Sequence, residues 1–251
     1  DNYNTAVGFI AGQSITTGFQ NTLIGGLAGD ALTDSDKNVA VGYAALSAET
    51  LGQFNTAIGR SALQAQNNTT ATDVYNVAVG YNAGASVTTG TRNTIVGGLA
   101  GDAITTGDQN TVFGALALSE ETTGEYSVAV GYQALAVQNS TTGASMYNTA
   151  LGYKSGFSVT TGKNNTLVGG LAGDALTDAD NNVAVGLQAL TTDTLGSRTI
   201  AIGQGALENQ NFTTATNTYN VAVGHAAGGS ITTGIHNVIV GGTAGDALTD
   251  A

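Results

Sequence analysis

The string Asn-Thr/Val-Ala-Val-Gly, with close variants, recurs from one end of the chain to the other, starting at Asn4, Asn21, Asn38, Asn55, Asn76, Asn93, Asn110, Ser127, Asn148, Asn165, Asn182, Thr199, Asn220 and Asn237. These fourteen copies follow one another at 17, 17, 17 and 21 residues, and the cycle then repeats. A 72-residue superperiod thus carries Tyr3-Asn4 onto Tyr75-Asn76, Tyr147-Asn148 and Tyr219-Asn220. A unit this short cannot bury its own hydrophobic face, so copies must stack, each covering its neighbour. No linker, charge block or change in composition interrupts residues 1–251, which read as a single repeat array. Both ends cut through the pattern, and the expectation is a fragment of a longer fibrous chain.

Seventeen residues are too few for two helices and a turn, and β-branched Val, Ile and Thr with a Gly every few positions disfavour a helix further. Short strands broken by Gly turns fit. The expected fold is all-β: a parallel β-roll, or β-solenoid, of about 14 coils, its strands about 4.8 Å apart and the array about 65 Å long.

The strand period of two sorts each segment into two ranks. One holds Thr5, Val39, Val77, Val128 and Val183 with Val7, Ile24, Val41, Ile58, Phe113, Val130 and Ile202, and is assigned to the coil interior. The other holds Ala6, Leu23, Ala40, Ala78, Ile95, Ala129, Leu167 and Ile239. It too is apolar throughout, and a strand apolar on both faces is buried on both. This second rank is therefore assigned to contact between chains, and self-association as a homotrimer is the expectation.

Seven residues after each start stands Ala, with Ser155 the exception, so only a small side chain fits there. The next residue alternates in pairs, Gly12 and Gly29, then Leu46 and Leu63, then Gly84 and Gly101, so successive coils are not equivalent. The Gly closing each strand (Gly8, Gly25, Gly42, Gly59) is expected at a corner or at positive φ, and the recurring Asn to form a ladder of stacked amides.

Segments such as 4–18, 76–90 and 148–162, each a strand ending in Gly, then small residues, then Thr-Thr-Gly, resemble the head repeats of trimeric autotransporter adhesins and the shaft repeats of phage tail fibres. The resemblance covers essentially the whole chain. It implies a left-handed roll, three chains together, exposed on a cell or virion and used for attachment or as a spacer. The expected function is a structural segment of an extracellular adhesin or filament that presents or spaces a binding tip and adheres to surface glycans or proteins. Alternatives are a phage tail-fibre shaft, or a monomeric ice- or glycan-binding solenoid. The coils of 17 and 21 residues are longer than those of the adhesin heads.

Composition narrows the partners. Six Lys+Arg against 18 Asp+Glu, a net charge of −12, leave no basic patch to neutralise a phosphate backbone, so nucleic acid is not an expected partner. No apolar run is long enough for a transmembrane helix, and no membrane insertion is expected in this segment. With no Cys there is neither a disulfide framework nor a thiolate nucleophile.

Acidic turns offer weak calcium candidates at Asp34, Asp36, Asp178 and Asp180, but their spacing departs from the Gly-Gly-x-Gly-x-Asp roll. Otherwise no cofactor is expected. The 21-residue coils carry polar excursions at 64–74, 136–146 and 208–218, each beside Tyr75, Tyr147 or Tyr219, that could hold sugars. The acids Glu49, Glu120, Glu121, Glu125 and Glu208 read as non-recurring, His225 and His236 stand alone, and no enzyme is expected. Thr16-Thr17, Thr88-Thr89, Thr160-Thr161 and Thr232-Thr233 suggest an ice-matching array, yet intervening coils lack the pair and adjacent residues point to opposite faces.

Overall fold

The computed structural model describes residues 2–250. The chain is an all-β parallel β-solenoid of about 14 turns, and the described residues form no helix. It divides into two compact units, one made of Asp1–Glu125 with Thr141–Ala144, the other of Tyr126–Ser140 with Ser145–Ala251.

In the first unit, three-residue strands β1 (Thr5–Val7), β2 (Thr22–Ile24), β3 (Val39–Val41), β5 (Thr56–Ile58), β7 (Val77–Val79), β8 (Thr94–Val96) and β9 (Thr111–Phe113) pair in parallel, each with the next. A two-stranded ladder of β4 (Gly52–Gln53) and β6 (Thr72–Asp73) lies outside that sheet. The second unit repeats the plan with β10 (Val128–Val130), β11 (Thr149–Leu151), β12 (Thr166–Val168), β13 (Val183–Val185), β15 (Ile200–Ile202), β17 (Val221–Val223) and β18 (Val238–Val240), and with β14 (Gly196–Ser197) beside β16 (Thr216–Asn217). Register follows the repeat: Leu23 lies opposite Ala40, and Ala40 opposite Ala57.

The structure exchanges the two ranks. Leu23, Ala40, Ala78 and Ile95 in one unit, and Ala129 and Leu167 in the other, are all 0% exposed within a single chain, and Ile239 is 8% exposed. They fill the coil interior and are not available for contact between chains; Ala6, in the first coil, is exposed. The outward rank is the one expected inside, with Ile24, Ile58, Phe113, Leu151 and Ile202 all exposed.

The physical reason is volume. Around the strand's middle residue the interior already holds the Ala seven places after the coil start (Ala28, Ala45, Ala62) and a third buried residue four places further on (Leu32, Val87, Ile104). Where the strand contributes Leu23, the neighbouring corners are Gly12 and Gly29, and a Cβ there would stand 2.7 and 2.8 Å from Leu23 side-chain carbons. Where the strand contributes only Ala40 or Ala57, Leu46 and Leu63 fill the space. The paired alternation of Gly and Leu is therefore a trade of side-chain size across one narrow core.

Each strand stops at a Gly for two reasons. Gly42 has φ 139°, a conformation closed to L side chains, and a Cβ on it would lie 2.4 Å from the carbonyl oxygen of Gly59 in the next coil. The other corners use left-handed residues that carry side chains, such as Lys37, Ala44 and Leu46 at φ 58°, 54° and 53°. Such values are uncommon outside Gly, Asn and Asp, and their recurrence in coil after coil is held by the stacking.

The recurring Asn forms a ladder, although its rungs run chiefly from side chain to backbone. Asn21 Oδ1 accepts the backbone N–H of Asn38 at 2.9 Å, and Asn38 Oδ1 that of Asn55 at 2.8 Å. The amide NH2 of Asn21 donates to the Ser35 carbonyl at 2.7 Å, closing its own coil. In the second unit Asn148, Asn165 and Asn182 accept in the same way from Asn165, Asn182 and Thr199. These buried donors and acceptors are thereby satisfied without water.

Candidate functional site

Three features compete for a functional role: the interior carboxylates, the acidic turns, and the outward surface of sheet and loops. The first was missed in the sequence. Glu49, Glu121 and Asp193 stand 72 residues apart at the interior place that Leu32, Val87 and Ile104 occupy in other coils, and all three are 0% exposed. The change from Glu to Asp hid the recurrence. A comparison at coil position 11 could have found it.

Each carboxylate is caged by donors. Glu49 Oε1 accepts N–H groups of Thr50, Leu51, Gly52 and Asn68 at 2.7–3.1 Å, while Oε2 accepts the amides of Gln66 and Asn68 at 2.8 and 2.9 Å. Asp193 accepts from Gly196 and Phe212 N–H, both at 3.0 Å, and from Gln210 Nε2 at 2.6 Å. Burial pushes the Asp193 carboxyl above the ordinary aspartate range, and the hydrogen bonds from Phe212, Gln210 and Gly196 pull the other way. Gln210 then passes the network on, its Oε1 accepting the amide of Asn220 at 2.8 Å. With these fixed donors around them, the three acids hold the turns of their coils together.

The four calcium candidates are likewise engaged. Asp34 accepts the Thr17 hydroxyl at 2.5 Å and Asp36 the Phe19 N–H at 2.9 Å; Asp178 and Asp180 repeat this with Thr161 and Lys163. Each ties its coil to the preceding one. Among the described residues no three His, Cys, Asp or Glu side chains come together in a way that could hold a metal ion. Asp102 and Asp30 differ, for each keeps a buried Oδ1 without a hydrogen-bond partner, and burial raises the Asp102 carboxyl.

The threonine pairs are spent similarly: Thr16 donates to the Thr33 carbonyl at 3.3 Å and Thr17 to Asp34. Tyr75, Tyr147 and Tyr219 flank the long loops as expected, but their ring faces are partly taken. Tyr75 stacks on Phe54 at 5.0 Å, Tyr147 on Tyr126 at 5.1 Å, and Tyr219 on His236 at 5.3 Å, with Arg198 also over the Tyr219 ring.

What remains unpartnered is the outward side of the strands. In the first unit Val7, Ile24, Ile58 and Phe113 stand on the parallel strands β1, β2, β5 and β9, with exposed Tyr43 and Tyr81 at the corners after β3 and β7. In the second unit Leu151, Ile200, Ile202 and Val240 do the same, beside Tyr132 and Tyr153. No family model matches the chain, and no curated protein matches it either. No helix among the described residues is long and apolar enough to cross a membrane.

Proposed function

We propose that this chain is a structural segment of an extracellular, self-associating fibre, non-enzymatic, that spaces or presents a binding tip. The supporting observation is the outward apolar rank in each unit: Ile24, Ile58 and Phe113 in the first, Leu151 and Ile202 in the second, recur on parallel strands. Contiguous apolar surface of this kind marks association sites on soluble proteins. A homotrimer buries it with the fewest new assumptions, because the resemblance to adhesin heads and tail-fibre shafts implies three chains. Contact between chains thus moves from the inner rank to the outer one. Host-surface glycans or proteins are the proposed targets of the assembled fibre, and the reading includes no catalytic step, since the interior acids Glu49 and Asp193 are engaged by backbone and amide donors.

The test is native mass by light scattering over a range of concentration, on the wild type and on the double variant Ile58→Lys, Phe113→Lys. A mass three times the chain's for the wild type, falling to one for a variant that still unfolds in a cooperative transition, supports the reading. A wild-type monomer at all concentrations overturns it and favours a solitary ice- or glycan-binding solenoid.

A further inference from the structure

We infer that the long loops are acceptor sites for Asn-linked glycosylation, at Asn67 and Asn211 and, by the repeat, at Asn139. The motif Gln-Asn-x-Thr-Thr occurs three times, at 66–70, 138–142 and 210–214, with Asn68, Ser140 and Phe212 at its variable place. Asn-x-Thr is the acceptor pattern of this modification. Such triplets also arise by chance in a chain rich in Asn and Thr, so the structural setting carries the argument.

In both loops that lie within one unit, the middle residue is pinned inward and its two neighbours face out. Asn68 is 6% exposed, its N–H donating to Glu49 at 2.9 Å and its carbonyl accepting from Leu51 N–H at 3.2 Å. Phe212 is 7% exposed and makes the same two bonds, to Asp193 and from Leu195, each at 3.0 Å. Side chains one residue to either side of a pinned position then emerge together. Thr69 and Thr213 are exposed, and their hydroxyls make no hydrogen bond among the described residues. The recurring buried acid thereby presents an amide and a hydroxyl side by side on the surface.

The acceptor amides are themselves oriented. Asn67 Oδ1 accepts the Thr50 hydroxyl at 3.0 Å, and Asn211 Oδ1 the Thr194 hydroxyl at 3.2 Å, which leaves each Nδ2 outside the protein's hydrogen bonds. A preserved Thr with no structural bond, two places after an amide whose nitrogen is unengaged, is explained by recognition from outside. In the reaction Nδ2 attacks C1 of a sugar activated by a phosphate-type leaving group: the C1–N bond forms, the C1–O bond to phosphate breaks, one Nδ2 proton is lost, and the phosphate departs.

A further Asn-x-Thr triplet serves as an internal control: Asn68-Thr69-Thr70 has a buried Asn whose amide nitrogen is bonded to Glu49 at 2.9 Å, so it presents no surface acceptor.

The experiment is peptide mass spectrometry on the full chain from the cells that produce it, after an amidase that releases Asn-linked glycans and leaves Asp. Conversion at Asn67 and Asn211 with none at Asn68 is expected. No conversion at either Asn67 or Asn211, equal conversion at Asn68, or glycan released by alkali from Thr instead, overturns the inference. Thr69→Ala should abolish occupancy at Asn67 and Thr69→Ser retain it, both with unchanged unfolding. Undiminished occupancy in Thr69→Ala would also overturn it.

Discussion

The two faces of the same three-residue strands obey different rules. Inward, Leu23 and Ala40 sit opposite one another in register, yet each is matched to its own corner, Gly29 for Leu23 and Leu46 for Ala40. Outward, Ile24 and Val41 have no such partner and vary freely among Val, Ile, Leu and Phe. A narrow interior is set by volume, methyl by methyl, whereas the outer face needs only β-branched or bulky apolar residues. Apolar character alone therefore does not tell inside from outside in a coil of 17 residues; covariation of size does.

The contrast predicts where substitution is most damaging. Ala78→Asp places an unpaired charge in a site with no accessible surface and should cost about 3–5 kcal/mol or more, enough to uncoil the turns around β7. Gly42→Val should act comparably, through both its φ and the Gly59 carbonyl. Hydrogen exchange would report either as lost protection confined to neighbouring coils; a wild-type exchange pattern in both variants would refute the inward assignment and the corner argument. Glu49→Leu imports the residue type of the preceding coil's Leu32 but strands the N–H groups of Thr50, Gly52 and Asn68. The expected loss is several kcal/mol, at about 1–3 kcal/mol per unsatisfied group, read from denaturant unfolding.

A finer break separates size from polarity. Ala40→Leu overpacks against Leu46 and should cost about 1–3 kcal/mol. Adding Leu46→Gly recreates the arrangement of Leu23 and Gly29, and most of that cost should return. A double-mutant cycle with no coupling would show that the paired alternation has another origin. By contrast Ile58→Lys on the outer face should leave the unfolding midpoint of the dissociated chain nearly unchanged, and a large drop would mean that the outer rank is part of the coil's own core.

Much of the architecture was legible in the residues. Spacing of Asn and Gly gave coil number, parallel register and strand positions, because hydrogen bonding between coils forces one-to-one correspondence. The assignment of faces was reversed because Val, Ile and Phe are ordinarily core residues, and nothing but the alternation of Gly29 with Leu46 betrays how little room the interior has. Glu49, Glu121 and Asp193 escaped notice because an acid at an apolar place reads as surface until the N–H groups of its own turn are seen to fold around it. Left-handed backbone at Lys37, Phe54 and Tyr75 was equally hidden, since those residue types carry no preference for it. The likeness of Asn68 and Phe212, chemically unrelated yet pinned alike, was visible only in three dimensions.

The mildest test of the inner–outer contrast is electrostatic, at a group on the border between them. Asp102 keeps one buried oxygen without a partner, and burial raises its carboxyl above the ordinary value of 3.8. A raised native pKa means that the folded state binds the proton more tightly than the unfolded state. Its contribution to stability is therefore fully present below pH 3.8 and is lost as pH rises through the folded value. Asp102→Asn removes that dependence. The variant should melt slightly above the wild type at neutral pH, and the gap should close on acidification and vanish below pH 3.8. Partial exposure of the group keeps the effect small. A gap that widened in acid would mean that the charged form of Asp102 is the one the fold prefers, and that burial does not govern its carboxyl.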